Sequence, residues 1–405
     1  MNILLLTNEY PNEAYPKPDS PWVLPYFARE WVKKGHEVIV VVNSTKFPRI
    51  YYMLAPLVRF YYAKRFNITA TNLSDRTWSV PFSFNDNGVK VWNMPMLKYK
   101  PGGKFQDGVI DNQVNKISAL LEKQHFAPHI ITGHWVNPQI LLVAKLGKRF
   151  NCKTAFVFHS DYQECILKKY DAYSLVKQID RIGARSQYVA NELSKSLNLR
   201  DKPFICYSGV SDVYVDNLKQ NISFDKSIEH NSVEILCAAR LVEYKNVHSI
   251  INALSNIGIN CKLSIAGDGP LMNKLQSLAK SLDLEGRVSF LSKISRESLQ
   301  DLMHNSAMFV LISEHEVFGL VYIEAMLQGC IVVASRESGA DGIIVDGFNG
   351  FLCEAGNSNE LAKIIRNVSE MTIEKRARIS YNAQETARKF SDSKVAELYL
   401  NNITE

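Results

Sequence analysis

Glu316 and Glu324 stand eight residues apart, and Val317-Phe318-Gly319-Leu320 follows the first of them. A strand over Met308–Ile312 is expected to end just before them. That puts Glu316 on a strand-to-helix loop and Glu324 two turns inside a helix running from Leu320 to Gln328. Carboxylates so placed can accept hydrogen bonds from hydroxyls at two ends of one extended ligand. The amides of Phe318, Gly319 and Leu320 open the helix, where unpaired N–H groups and the positive end of the dipole suit an anion such as a diphosphate. Gly319 lets the backbone approach closely.

A second strand, Val233–Ala238, ends at Ala239-Arg240-Leu241-Val242-Glu243-Tyr244-Lys245. Arg240 can hold two phosphate oxygens and Lys245 acts as a point charge, so this loop suits the charge that grows on a departing diphosphate. No Asp-x-Asp occurs in the chain. The carboxylate pair of a metal-diphosphate clamp is therefore missing, and the expectation is side-chain neutralisation with no metal and no cofactor. Singly, each of these four residues would more often be a surface charge; their common place at strand ends favours binding. His159 follows the strand Thr154–Phe158, where a lone histidine is often a satisfied structural residue. Gly267 and Gly269 are read as turn residues rather than ligand contacts.

Short β-branched runs alternate with amphipathic stretches, which predicts an α/β chain of parallel strands and crossover helices. Expected strands are Asn2–Leu6, Glu37–Val42, His129–Thr132, Thr154–Phe158 and Phe204–Tyr207 in the first half. In the second they are Val233–Ala238, Lys262–Ala266, Val288–Phe290, Met308–Ile312 and Ile331–Ser335. Val23, Phe27 and Trp31 recur at helical spacing and Gly35 closes that helix. Helices are expected near Val247–Asn256, Leu271–Leu282, Ser298–Asn305 and Leu320–Gln328, then from Ser358 to the end with a break near Ser391. The polar stretch Ser208–Ser232 reads as a connection between two doubly wound domains facing each other across a cleft. The expected bounds are 1–207 for the first domain, 208–385 for the second, and 386–405 for a terminal helix returning to the first.

The chain has 405 residues and 46% apolar content, as a globular protein of two domains would. Seven cysteines show no C-x-x-C pair, which argues against zinc or a disulfide framework and for a reducing cytoplasm. The opening apolar run is too short for a signal sequence, and no stretch reaches membrane-spanning length. Up to Cys206 there are 28 basic and 16 acidic residues, a charge of +12, whereas the remainder carries −6. The basic half could attract an anionic membrane surface, a phosphate-bearing acceptor or nucleic acid, or consist of solvated lysines. Residues 47–66 interleave Tyr51, Tyr52, Phe60, Tyr61 and Tyr62 with Arg49, Arg59, Lys64 and Arg65, which would suit a lipid headgroup layer or a locally packed insertion.

Together, in order and at strand ends, these motifs resemble glycosyltransferase family 4, a retaining family of the GT-B fold. Glu316 to Met326 is similar to its Glu-x7-Glu signature, Arg240-Leu241-Val242-Glu243-Tyr244-Lys245 to its Arg-Leu-Val-x-x-Lys segment, and Gly267-Asp268-Gly269-Pro270 to its Gly-x-Gly-Pro turn. Phe158-His159-Ser160-Asp161 looks like its His-Gly-Ser-Asp strand end. The resemblance implies retaining transfer from a nucleotide diphosphate-sugar, with Glu316 on sugar hydroxyls, Glu324 on the ribose and Arg240 and Lys245 on the diphosphate. It implies that His159, with Asp161 beside it, faces the transferred sugar, and that Lys293 and Ile294 hold the base. The acceptor it implies is a glycan or polyprenyl-linked glycan, as in the bacterial surface-polysaccharide transferases it is similar to, with no nucleic acid partner and a cytoplasmic or inner-face membrane-peripheral site.

Departures from the pattern are Ser20-Pro21 where many members have glycine before the first helix, Asn246 for the glycine after Lys245, and Glu337-Ser338-Gly339-Ala340-Asp341 for a Gly-Gly-x-x-Glu loop. Proline offers no amide to a phosphate, whereas asparagine can take the left-handed turn. A sugar-nucleotide epimerase or hydrolase of the same architecture and a noncatalytic glycan-binding protein stay open as alternatives. A dinucleotide oxidoreductase is disfavoured because no G-x-G-x-x-G follows Asn2–Leu6.

Overall fold

The structure, a computed structural model, describes residues 1–11, 23–53, 77–100, 102–160, 164–216 and 232–405. Ser20-Pro21, Asp161, most of Ser208–Ser232 and residues 54–66 of the aromatic-basic segment lie outside the described residues. The chain divides into two compact units. One holds Met1–Arg185, Val189–Cys206 and Ala396–Glu405, the other Ser186–Tyr188 and Tyr207–Val395.

The first unit contains β1 (Asn2–Thr7), β2 (Glu37–Val42), β3 (Thr45–Lys46), β4 (Phe82–Asp86), β5 (Val89–Asn93), β6 (Met96–Leu97), β7 (Ile130–His134), β8 (Lys153–Phe158), β9 (Arg181–Ala184) and β10 (Phe204–Ile205). Among the described residues its main sheet runs β10-β9-β8-β7-β1-β2-β5-β4, parallel except for β4, and β3 pairs with β6 separately. Residues 3–6 of β1 and 39–42 of β2 are wholly buried, which explains apolar runs without alternation, since helices cover both faces of such a sheet. The predicted helix forms over Val23–Lys33 and buries Val23, Phe27 and Trp31. The terminal helix Asp392–Thr404 brings Tyr399 against Phe27 and Trp31, with ring centroids 5.2 and 5.3 Å apart, and Trp31 Nε1 donates to the Ala396 carbonyl at 2.9 Å.

In the second unit β11 (Ser232–Ala238), β12 (Asn260–Ala266), β13 (Val288–Phe290), β14 (Met308–Leu311), β15 (Ile331–Ser335) and β16 (Phe351–Cys353) form one parallel sheet in the order β13-β12-β11-β14-β15-β16. Counted along the chain this is 3-2-1-4-5-6, the doubly wound dinucleotide-fold order, whose direction reverses between β11 and β14. Ligands of such sheets bind outside the carboxyl ends of the strands at that reversal. The loops after β11 and β14 carry Arg240, Lys245 and Glu316.

Several elements differ from expectation. The hairpin β4–β5 was not among the expected strands, although its Asn87-Gly88 turn, with φ of +51° and +91°, is the dipeptide that favours a two-residue hairpin. β9 is four residues interrupted by Arg181 and Gly183, and β16 is three residues long; both are too short for a periodic signal. β7 extends through His134, two residues beyond the expected end. The helix after β14 spans Leu320–Leu327, so Glu324 lies a single turn inside it, not two. The carboxy-terminal helical region breaks at Met371-Thr372 as well as at Ser391, because Thr372 caps a new helix by accepting from the Lys375 amide.

Candidate active site

The loops after β11 and β14 are tied together by backbone and side-chain bonds. β11 is followed by a single turn at Glu243–Lys245 and then Asn246, whose φ of +50° is the left-handed conformation anticipated for it. Its side chain donates to the Ile312 carbonyl at 3.1 Å, and the Glu314 amide donates to the Tyr244 carbonyl at 2.8 Å. Between these two links the Lys245 ammonium pairs with the Glu316 carboxylate, both side chains being about 15% exposed at 14% and 16%. Lys245 also lies over the Tyr244 ring at 5.3 Å from its centroid.

The loop after β12 supports Arg240 from behind. The Ala239 amide donates to Ala266, Leu241 to Asp268 and Leu271 to Leu241, so the two loops run side by side. A Cβ on Gly267 would sit 1.9 Å from the Ala239 carbonyl oxygen and one on Gly269 2.4 Å from that of Leu241. Both glycines serve close backbone approach. Arg240 itself is exposed and has no carboxylate partner among the described residues.

Gly319 has a φ of +76° and rests on the Tyr322 ring, whose hydroxyl donates to the Leu311 carbonyl at 2.8 Å. Burial, then the nearby Glu316 carboxylate, pushes the Tyr322 phenol well above its usual range, so it stays a donor. The Phe318 ring is buried beside Tyr207 and Phe390. The Gly339 backbone lies against the Phe318 amide, where a Cβ would come within 2.4 Å of the nitrogen. Leu320 is partly exposed at the start of the helix. Thus the loop that replaces the Gly-Gly-x-x-Glu pattern supports the Glu316 segment through one glycine.

Glu324 is paired with Arg296, the first residue of the helix Arg296–Asn305. Sequence inspection passed over Arg296, which sits among ordinary surface charges and has no motif around it. Tyr214 donates to the Glu324 carbonyl at 3.3 Å and accepts from Gln328 at 3.0 Å. Lys293 is exposed and Ile294 half-buried on the loop after β13, and neither side chain bonds to the two carboxylates. An open pocket of about 490 Å³ is lined by Ser313, Glu314, His315, Arg336, Glu337 and Glu354, among others.

In the first unit His159 follows β8 and is half-buried, with its ring stacked on Trp135 at 4.2 Å and 19°. Its Nε2 lies 2.9 Å from Nδ1 of His134, which ends β7 and is wholly buried. Burial, then Arg185, holds His134 well below its ordinary value; burial, then His134 and Arg185, does the same for His159. Both rings are neutral at pH 7. His134 and Trp135 were missed because the strand was expected to stop at Thr132, although Gly133-His134-Trp135 at a strand end was visible in the sequence.

The second unit thus carries a paired acid and base at the reversal point of a doubly wound sheet, and the first unit carries a histidine pair at the ends of two neighbouring strands. Residues 219–386 match the model of the family described as glycosyl transferases group 1, and the chain is a transferase carrying that family's domain. It is similar to an uncharacterized glycosyltransferase of Methanocaldococcus jannaschii, 25% identical over 356 residues that span 84% of this chain and 94% of the other. It also resembles the lipopolysaccharide core biosynthesis glycosyltransferase LpsE of Rhizobium meliloti, 28% identical over 46% of this chain and 53% of that one. The chain thus spans nearly all of the first relative and about half of the second. Among solved structures, the Anabaena protein HepE in complex with UDP aligns over 100% of both chains with a TM-score of 0.68 at 20% identity, a likeness of fold.

Proposed function

We propose that the protein is a retaining, metal-independent glycosyltransferase that moves a sugar from a nucleotide diphosphate-sugar to a glycan acceptor. The observation that carries this is the Lys245–Glu316 pair at the reversal of the second sheet. A half-buried ammonium there is fixed beside the place where a diphosphate gains charge, and preorganised charge in a partly dry site is worth far more than in water. Arg240, exposed on the same loop, supplies the second cation. Glu316 accepts from sugar hydroxyls while orienting Lys245, and Glu324 accepts from the ribose with Arg296 holding it.

In the transfer the bond from the anomeric carbon to the phosphate oxygen breaks as the acceptor hydroxyl oxygen bonds to that carbon. The leaving diphosphate takes the electron pair and the acceptor's proton, on the same face of the sugar. Lys245 and Arg240 neutralise the departing charge in place of a metal. The likeness to a lipopolysaccharide core transferase favours a bacterial surface glycan as acceptor. The +12 charge up to Cys206 favours an anionic carrier, such as a polyprenyl diphosphate, and a peripheral place on the inner membrane face.

A panel of UDP-, GDP- and ADP-sugars, screened by thermal stabilisation and then by turnover with EDTA present, tests the reading. At least one donor should raise the melting temperature and react with EDTA present. Activity only after metal addition, or a product with inverted anomeric configuration by NMR, would overturn the corresponding part.

A further inference from the structure

Thr132, Tyr399, His134 and His159 form one unbranched line of hydrogen bonds in the first unit. Thr132 Oγ lies 2.6 Å from the Tyr399 hydroxyl, that hydroxyl 3.0 Å from His134 Nε2, and His134 Nδ1 2.9 Å from His159 Nε2. Thr132 and His134 are wholly buried and Tyr399 is 1% exposed, so water does not complete their bonding. The charged group facing the line is Arg185, which donates to Cys206 Sγ at 3.3 Å. With neutral rings each imidazole carries one N–H, and the line has a single direction or its reverse.

Proton bookkeeping at the buried end chooses between them. In one direction Thr132 donates to Tyr399, Tyr399 donates to His134 Nε2, and His134 Nδ1–H donates to His159 Nε2. Only acceptor capacity, the lone pairs of the threonine hydroxyl, then goes unused. In the reverse direction Tyr399 donates to Thr132, whose own hydrogen must find another acceptor. Among the described residues Thr132 Oγ has no second hydrogen-bond partner. A buried donor without an acceptor loses its hydration for nothing, so the first direction is the stable one.

We propose that Thr132, Tyr399 and His134 are positioning residues that fix His159 as its Nδ1–H tautomer, making it a hydrogen-bond donor to a ligand oxygen rather than a proton acceptor. The role in transfer rests on the transferase reading above; the tautomer does not. A donor at Nδ1 stabilises negative charge developing on oxygen and rules His159 out as the base for the acceptor hydroxyl. That agrees with the proton leaving on the diphosphate.

The test is two-bond 1H–15N correlation on the full chain with 15N-labelled histidine, signals being assigned by His134→Asn and His159→Asn. His134 and His159 should both carry their proton on Nδ1 at pH 7.5. A proton on Nε2 of His159 would overturn the proposal. Thr132→Val separates the two directions: Nδ1–H should be found in the native chain and persist in the variant, whereas Nε2–H in the native chain that converts to Nδ1–H in the variant would show that Tyr399 had been donating to Thr132. Tyr399→Phe removes the hydroxyl that orders the line. It should give mixed tautomers and roughly ten-fold lower kcat with KM changed less than about two-fold. Mixed tautomers with undiminished kcat would remove the positioning role. Absence of turnover by the unmodified chain with every nucleotide sugar would sink the transferase reading alone, because the tautomer is read on the free protein.

Discussion

The Lys245 ammonium meets the Glu316 carboxylate across 71 positions of sequence, joining the loop after β11 to the loop after β14. Each keeps the other's charge from standing alone at a site that is mostly closed to water. On the proposed function, a diphosphate arriving there would meet a cation already oriented, and a sugar a carboxylate already held in place.

Lys245→Ala and Glu316→Gln should each lower kcat/KM roughly hundred-fold, the size seen when a preorganised charge is removed from developing charge. Glu316→Gln keeps shape and should leave circular dichroism and melting nearly unchanged. Lys245→Ala leaves a half-buried carboxylate unpaired and should also lower the melting temperature. Full activity in either variant would take that residue out of the site.

Arg296 and Glu324 divide differently. Glu324→Gln weakens an acceptor for the ribose and should raise the nucleotide Kd about ten-fold by calorimetry, a hydrogen bond to a charged group contributing about 1.5–3 kcal/mol. Arg296→Ala frees Glu324 from an exposed partner and should change Kd only a few-fold, with kcat retained. Equal losses from the two variants would show that Arg296 touches the ligand itself.

The histidine pair gives a pH dependence of stability with a definite sign. Burial holds both folded values well below the ordinary one, while the unfolded chain titrates near the ordinary value of about 6.5. Below that value the unfolded state binds more protons. Stability is therefore fully present above about pH 6.5 and is lost as pH falls toward the folded values, by about 1.4 kcal/mol per pH unit for each histidine still neutral in the fold. Urea midpoints between pH 7.5 and 5.5 should fall more steeply for the native chain than for His134→Asn/His159→Asn; parallel slopes would contradict the assignment.

Gly267→Ala should destabilise by about 1–3 kcal/mol or more, since its Cβ would enter the Ala239 carbonyl and its φ is +138°. Gly286→Ala, at an exposed position with open space, serves as the comparison and should be near neutral. Urea denaturation of both checks the claim. Gly339→Ala should act on activity more than on stability, because its Cβ would displace the Phe318 amide and with it the Glu316 loop.

Much of this molecule was legible locally. Strand, loop and helix of the second unit followed from apolar periodicity, and the helix Val247–Asn256 has the bounds expected of it. Asn246 was anticipated in the left-handed turn because its side chain tolerates that conformation. The hairpin at Asn87-Gly88 was equally readable and was overlooked, whereas β9 and β16 are too short to repeat any pattern.

By itself the sequence determined which residue types stand at the ends of which strands, because side-chain period and turn chemistry are local properties of the backbone. It therefore placed Arg240, Lys245, His159 and Glu316 on loops and Glu324 inside a helix. Only the tertiary structure decided who meets whom. Lys245 reaches Glu316 because β14 inserts beside β11, and Tyr399 reaches His134 across 265 positions because the last helix packs on the first unit. Such partnerships depend on strand order and long-range packing, and no pattern of neighbouring residues encodes either.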